Sequence, residues 1–220
     1  MTVAAIVLAA TTESALEDAE GQPRVRRIVD AAWSGGAIPI IVVAPDPDGR
    51  VAVALAGAPV TLADPGPAGG GAAAQIVRGM DAAAAEVHET DAAIVWPSRF
   101  AWVGPETITS LIEAHGVAGS GGAILRPTFD GTAGWPVVVP LAHRDALAAI
   151  APDRLDDDIL ADLLGSGVQV TPLDVGDPGT LYDASTPRVD LPPYVGPAGP
   201  ASGHAHEWGA GLGDDPDRDA

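Results

Sequence analysis

Neither lysine nor cysteine occurs anywhere in the 220 residues. Without cysteine there is no disulfide framework and no thiolate metal site. Without lysine all eleven basic side chains are arginines, so any phosphate contact falls to guanidinium groups or backbone N–H groups. Positive charge is scarce as well. The formal net charge is −19 and the pI near 4.2, which excludes a nucleic-acid or anionic-membrane partner, since neutralising phosphates needs a basic face. No apolar run approaches the roughly 18 residues of a membrane span, and the apolar Met1 to Ala10 lacks a basic leader region. A soluble, cytoplasmic protein is expected; composition does not fix an oligomeric state.

The length suits one domain plus a tail. Residues 1–191 are expected to fold and 192–220, a Pro, Gly, Ala and Asp stretch too poor in apolar surface to offset its ordering entropy, to form a disordered acidic tail. Val3 to Ala10 reads as a buried strand, Thr11 to Gln22 as a loop, and Pro23 to Trp33 as a helix with Val25, Ile28, Val29 and Ala32 at helical spacing. Ile38 to Ala44 is the second strand, which completes a βαβ unit and forces a parallel pair. Val51 to Leu62 reads as one or two short strands. Asp64 to Gly71 is a loop, and an alanine-rich helix carrying Ala73, Ile76, Val77, Met80 and Val87 follows. Short strands are expected at Ala123 to Arg126, Val137 to Val139 and Val168 to Leu173, with helices at Ala142 to Ile150 and Asp156 to Leu164. The pattern predicts a three-layer α/β/α domain with a mainly parallel sheet.

The stretch Asp91 to Glu106 says most about function. Ala92 to Trp96 has the length of a strand buried on both faces, and Gly104-Pro105-Glu106 opens a helix with Pro at its first position and Glu in its first turn. Ile108, Leu111 and Ile112 mark that helix's apolar face, Gly116 its stop, and His115 reads as a C-terminal cap. The loop Pro97 to Val103 therefore leaves the carboxyl end of a central strand, where ligands collect in open α/β sheets.

Several segments, in order, carry a family pattern. Leu8-Ala9-Ala10 ends the first strand, Gly21-Gln22-Pro23 precedes the first long helix, Gly69-Gly70-Gly71 precedes another, and Val103-Gly104-Pro105-Glu106 follows the central strand. Arg126-Pro127 leads through Gly131 and Gly134 to Trp135-Pro136, and Asp183 to Pro187 closes the domain. This order resembles the MobA-like NTP transferase family, the molybdenum cofactor nucleotidyltransferases. The resemblance implies the fold of the nucleotide-diphospho-sugar transferases. It implies nucleotide-binding positions at Leu8, Ala9, Ala10, Thr11, Arg24 and Gly70, a substrate loop at Gly134, Trp135 and Pro136, and magnesium-site positions at 99, 183 and 185.

The departures from the pattern fall on the chemistry. Thr11 replaces the first glycine of the phosphate loop, and Glu13, Glu17, Asp18 and Glu20 follow it. Arg99 and Ser185 stand where the family has aspartates, leaving Asp183, and Trp135 replaces a histidine. Unit charges 4 Å apart at an effective dielectric of 20 interact by about 4 kcal/mol, so a divalent cation beside Arg99 meets roughly 8 kcal/mol of repulsion. Magnesium needs one or two carboxylates besides phosphate oxygens, and no metal is expected here.

Single residues admit two readings each. Arg99 is either a cation substitute paired with Asp183 or a ligand phosphate, or a solvated loop arginine. Phe100 and Trp102 stack on a base or pack under their own loop. Arg24, Arg26 and Arg27 bind phosphate or form a solvated helix face paired with carboxylates. Asp156-Asp157-Asp158 reads as helix-dipole and capping chemistry, and His204, His206 and Glu207 as a weak tail metal site or none. The reading is a diverged family member acting as a non-catalytic binding or scaffold protein linked to molybdenum cofactor metabolism. Its partner is a nucleotide or a molybdoenzyme-maturation protein, and it needs no cofactor. The alternative is an active enzyme moving a nucleotidyl group from CTP or GTP to a phosphorylated cofactor precursor, with Mg2+.

Overall fold

A computed structural model describes residues 2–66, 70–118 and 122–197. The expected tail from residue 198, with His204, His206 and Glu207, and Gly69 of the glycine loop lie outside them. The elements in chain order are β1 (Thr2–Leu8), α1 (Thr12–Leu16), α2 (Arg24–Ser34), β2 (Ile40–Val43), α3 (Arg50–Ala54) and β3 (Thr61–Ala63). Then come α4 (Gly71–Glu86), β4 (Thr90–Pro97), α5 (Pro105–Ala118), β5 (Ile124–Phe129), β6 (Thr132–Ala133) and β7 (Val137–Pro140). The last are α6 (Arg144–Ala148), α7 (Asp156–Gly165) and β8 (Val170–Asp174).

One eight-stranded sheet runs β3-β2-β1-β4-β7-β5-β6, with β8 also paired to β5. The pairs β1–β2, β1–β4, β2–β3 and β5–β8 are parallel, while β7 lies antiparallel between β4 and β5. The three-layer α/β/α expectation holds, with a mixed sheet whose strands are mainly parallel. The reversal at β7 comes from the tight turn Asp130-Gly131, both at positive φ, which returns β5 through β6 as a hairpin.

β1 and β4 are buried on both faces, which is why they read as continuous apolar runs. Ile6 points at α4, where a Cβ on Gly79 would sit 2.3 Å from Ile6 Cγ2, so that glycine sets how closely helix and strand approach. Alternation along β1 puts Ala5 and Val7 on the opposite face, toward α2. At the end of α2 a Cβ on Gly35 would meet Ile108 of α5 at 2.5 Å, so α2 and α5 share the second helix layer.

Four local expectations change. Val51 to Leu62 begins not with a strand but with α3, because Asp46 accepts from the N–H groups of Val51 (2.8 Å) and Ala52 (2.9 Å) and fixes a helix start there. The loop Thr11 to Gln22 contains α1. Gly116 does not stop α5, which continues to Ala118. His115 is not an exposed cap: it is 2% exposed, with Nε2 3.2 Å from Asp91 Oδ2 of β4, and this contact ties the last turns to the sheet.

The N-terminus of α5 is held from 73 residues away. Asp177 Oδ2 accepts from Gly104 N (2.9 Å) and Thr107 Oγ1 (2.7 Å), while its Oδ1 accepts from Gly179 N (2.8 Å). The segment carrying Asp177 thus locks the loop after β4. Replacing Asp177 with Ala strands three donors, those of Thr107 and Gly179 buried and that of Gly104 half-buried, and is expected to cost about 3 kcal/mol in urea unfolding, against under 1 kcal/mol for an exposed aspartate. Gly79→Ala is expected to destabilise by about 1–2 kcal/mol despite the better helix propensity of alanine. Adding Ile6→Ala should relieve part of that loss, and strict additivity of the two would mean the helix and strand do not meet at this point.

Candidate functional site

The strand order turns between β1, whose chain continues to β2 on one side, and its parallel neighbour β4 on the other. Beyond the carboxyl ends of these two strands lies a cleft of about 470 Å³, walled by Leu8, Ala10, Gln75, Ser98, Arg99 and Asp156 among others. Its place is the one that open α/β sheets use for ligands, and Leu8 and Ala10 line it.

Part of the stretch after β1 is closed to a phosphate by its own hydrogen bonds. Thr11 caps α1: its Oγ1 accepts from Ser14 N (3.0 Å) and its own N–H donates to Ser14 Oγ (3.1 Å). The N–H groups of Ala15, Glu17 and Ala19 go to Thr11, Glu13 and Gln22 carbonyls, and Gly21 N goes to Asp18 Oδ2. These donors are consumed within the segment. Ala9 is buried, and its N–H donates to Val43 O at 3.0 Å. Gly70 does not line this cleft: it borders a separate cavity with Ala74 and Leu147, while its neighbour Gly71 reaches the cleft wall.

Arg99 leaves the end of β4 with its guanidinium 4.7 Å above the Phe100 ring, and its Nη1 donates to Asp156 Oδ2 at the start of α7. Of the two readings of Arg99, a cation substitute paired with Asp183 or a phosphate and a solvated loop arginine, neither names its partner: α7 supplies the carboxylate. Phe100 stacks on Trp135, with ring centres 6.5 Å apart and planes 19° apart. Trp135 Nε1 (3.2 Å) and Arg126 Nη2 (3.1 Å) both donate to Asp157 Oδ1. Trp135 is buried and Pro136 beside it is packed into the core. Gly134 lies so close to Thr180 that a Cβ would be 2.4 Å from its carbonyl oxygen. The substrate-loop positions are thus filled and braced.

Asp183 sits beside this loop, since Ala184 N donates to Arg99 O at 2.7 Å. Its Oδ1 accepts from both the hydroxyl and the N–H of Ser185, the latter at 2.9 Å. The Ser185 hydroxyl above all holds the Asp183 carboxyl below the usual range; burial opposes this, and the Ser185 N–H and the charges of Arg24 and Arg99 add to it. Arg24 is 7% exposed, with Nη1 2.8 Å from Glu17 Oε2 and a buried Nε that has no partner among the described residues. Asp183 therefore shares the two guanidinium groups with Glu17, which pairs with Arg24, and Asp156, which pairs with Arg99. No three of the described His, Asp or Glu side chains form a group that could hold a metal ion. The residues do not fit the magnesium ion of the family pattern.

Packing explains most other candidates. Trp102 is buried under its loop, donates Nε1 to Thr186 O (2.9 Å) and carries Arg27 at 5.0 Å over its ring. Arg26 pairs with Asp30 one turn along α2 at 3.0 Å, and Arg27 with Glu20 at 3.5 Å. The aspartates of α7 do more than balance a helix dipole. Asp158 accepts weakly from Leu155 N (3.4 Å), but Asp156 and Asp157 hold Arg99, Arg126 and Trp135. Asp156, Asp157 and Asp177 are the site residues that sequence reasoning missed. Three consecutive aspartates exceed what one helix start needs, and that surplus is the signal that was available.

Comparison with known proteins agrees with this architecture. The family model for the MobA-like NTP transferase domain matches residues 12–169. No curated protein matches the sequence. Among solved structures, a Methanothermobacter nucleotidyl transferase is 19% identical, with TM-score 0.64 over 79% of this chain and 87% of that one. The 2-C-methyl-D-erythritol 4-phosphate cytidylyltransferase of Thermus thermophilus is 16% identical, with TM-score 0.62 over 83% and 92%. Rv0371C of Mycobacterium tuberculosis, crystallised in complex with manganese, is 18% identical, with TM-score 0.58 over 79% and 89%. These likenesses establish a shared fold. With more than half of its length matched by the family model, this chain belongs to the MobA-like NTP transferase family.

Proposed function

We propose that this family member binds rather than transfers: a non-catalytic binding or scaffold protein, placed in molybdenum cofactor metabolism by family resemblance. The observation that carries the reading is the Arg99 guanidinium, paired with Asp156, at the position where the family pattern has a metal-binding aspartate. Metal-assisted nucleotidyl transfer uses the cation to hold and neutralise the phosphates. A guanidinium at that position opposes the ion, and the Asp156 carboxylate bonded to it offsets part of that opposition. The consumed N–H donors around α1 support the reading independently.

The partner on this view is a nucleotide or a molybdoenzyme-maturation protein. No described helix is long and apolar enough to cross a membrane, and a cytoplasmic site of action is part of the proposal. One observation favours the alternative of a working transferase: Asp183 is held ionised within reach of the cleft loop. A second carboxylate is then required beside it, and Asp156 is free for that only once Arg99 has left it.

The test is pyrophosphate release by the full-length chain from CTP and from GTP, with a phosphorylated acceptor such as molybdopterin, in magnesium and in manganese. A manganese-bound neighbour makes the second ion a necessary arm. No release above background is expected with either ion. Turnover that disappears on chelation establishes the transferase instead.

A further inference from the structure

Burial changes abruptly after Thr180. Every residue from Val175 to Thr180 is buried, and none from Leu181 to Pro197 is. Ala184 and Leu191 reach the core only as partly buried side chains, while Val189 is 89% exposed. The segment comes back to its origin at Val195, whose N–H donates to Gly176 O at 3.0 Å. Beside that bond a Cβ on Gly176 would sit 1.9 Å from Gly196 O, so the neck is tight. A loop closed at its neck and poor in buried contacts is the kind of unit that opens while the rest of a domain stays folded.

We propose that residues 181–194 form a strap that opens as one unit on the folded domain, and that the Glu20 carboxylate is the latch that holds it shut. The strap lies on the loop that follows β4 and gates it. It holds whether the cleft transfers or only binds.

Among the described residues, three hydrogen bonds tie residues 183–190 to what they cover. Ala184 N donates to Arg99 O (2.7 Å), Trp102 Nε1 to Thr186 O (2.9 Å) and Arg188 Nη1 to Glu20 Oε2 (3.1 Å). The first two join neutral groups; the third is charged, and bonds between ions are the stronger kind.

Glu20 is placed to act as a latch. The same Oε2 lies 3.5 Å from Arg27 Nη1, so one carboxylate joins a guanidinium of the strap to one of α2. Arg27 in turn donates Nε to Ala101 O (3.1 Å) and lies over the Trp102 ring, and so grips the loop that the strap covers. Burial above all, and then the charge of Arg188, lower the pKa of Arg27, while Glu20 opposes them. Removing the carboxylate therefore leaves two like charges facing each other across the seam. Glu20 also has a backbone φ of 58°, in the left-handed region that side chains other than glycine adopt at a cost. The turn that closes there, with Gly21 N on Asp18 Oδ2 at 3.2 Å, presents the carboxylate to both arginines.

The strap carries Asp183 and Ser185, and its Ala184 N–H holds the carbonyl of Arg99. Opening takes Asp183 away from Arg99 and uncovers the indole of Trp102.

Hydrogen exchange followed by NMR on the full-length chain tests the strap, with trypsin as a second readout. The Ala184 amide should exchange faster than that of Thr180, which donates to Asp177 O on the core side of the neck. Glu20→Gln should speed exchange at the Ala184 amide and at the Trp102 indole N–H by the same factor, about fivefold, and leave Thr180 unchanged. Glu20→Gly, whose backbone suits the positive φ, should do the same. High salt should act on the wild type as Glu20→Gln does, and should add nothing to that variant. Trypsin cleavage between Arg188 and Val189, identified by mass, should rise by the same factor in both variants.

Equal acceleration at Thr180 means that the whole domain opens and overturns the proposal. So does unchanged exchange at Ala184 and the Trp102 indole in both variants. Faster exchange in Glu20→Gln with slower exchange in Glu20→Gly assigns the effect to the turn and removes the carboxylate as latch.

Discussion

Arg99 on Asp156 is the interaction around which the cleft is arranged. Its weight is not in stability. A partly exposed ion pair contributes about 1 kcal/mol or less to folding, an amount any of the buried contacts exceeds. On the proposed reading, what the pair decides is which charge the crevice accepts, because a guanidinium opposes a divalent cation. The fold of a nucleotidyltransferase is preserved, and on the proposed reading the charge at its central site is not.

The supports of that pair come from three separate parts of the chain. The end of β4 delivers Arg99, Phe100 lies beneath its guanidinium, Trp135 lies beneath Phe100, and α7 brings two aspartates across the top. The segment around Asp177 then clamps the loop to the start of α5. In the family pattern the positions of Trp135 and Ser185 carry a histidine and an acid. Here a ring fills one and a hydroxyl bonds to Asp183 at the other, and the proposed loss of a metal site rests on these replacements together with Arg99.

The central strands and long helices were legible because burial on both faces writes itself as an unbroken apolar run, and a half-buried helix as a 3.6-residue period. The segment Arg50–Ala54 was misread since five residues of alternating valine and alanine carry either period, and only Asp46 decides between them. Gly116 failed as a stop because a buried histidine and an aspartate 24 residues earlier hold the last turns. In the site, the replaced residues Arg99, Ser185 and Trp135 could be found by comparison with a pattern. Their actual partners could not, since Asp156 lies 57 residues from Arg99 and nothing local marks the pairing. A replaced residue is visible in a sequence; its new partner appears only when the chain is folded.

The most direct measurement is the electron paramagnetic resonance spectrum of manganese titrated with the full-length protein, repeated for Arg99→Asp. The account predicts the free-ion spectrum throughout for the wild type and loss of its amplitude, as the ion binds, for the variant. A wild-type chain that binds the ion at one strong site contradicts it.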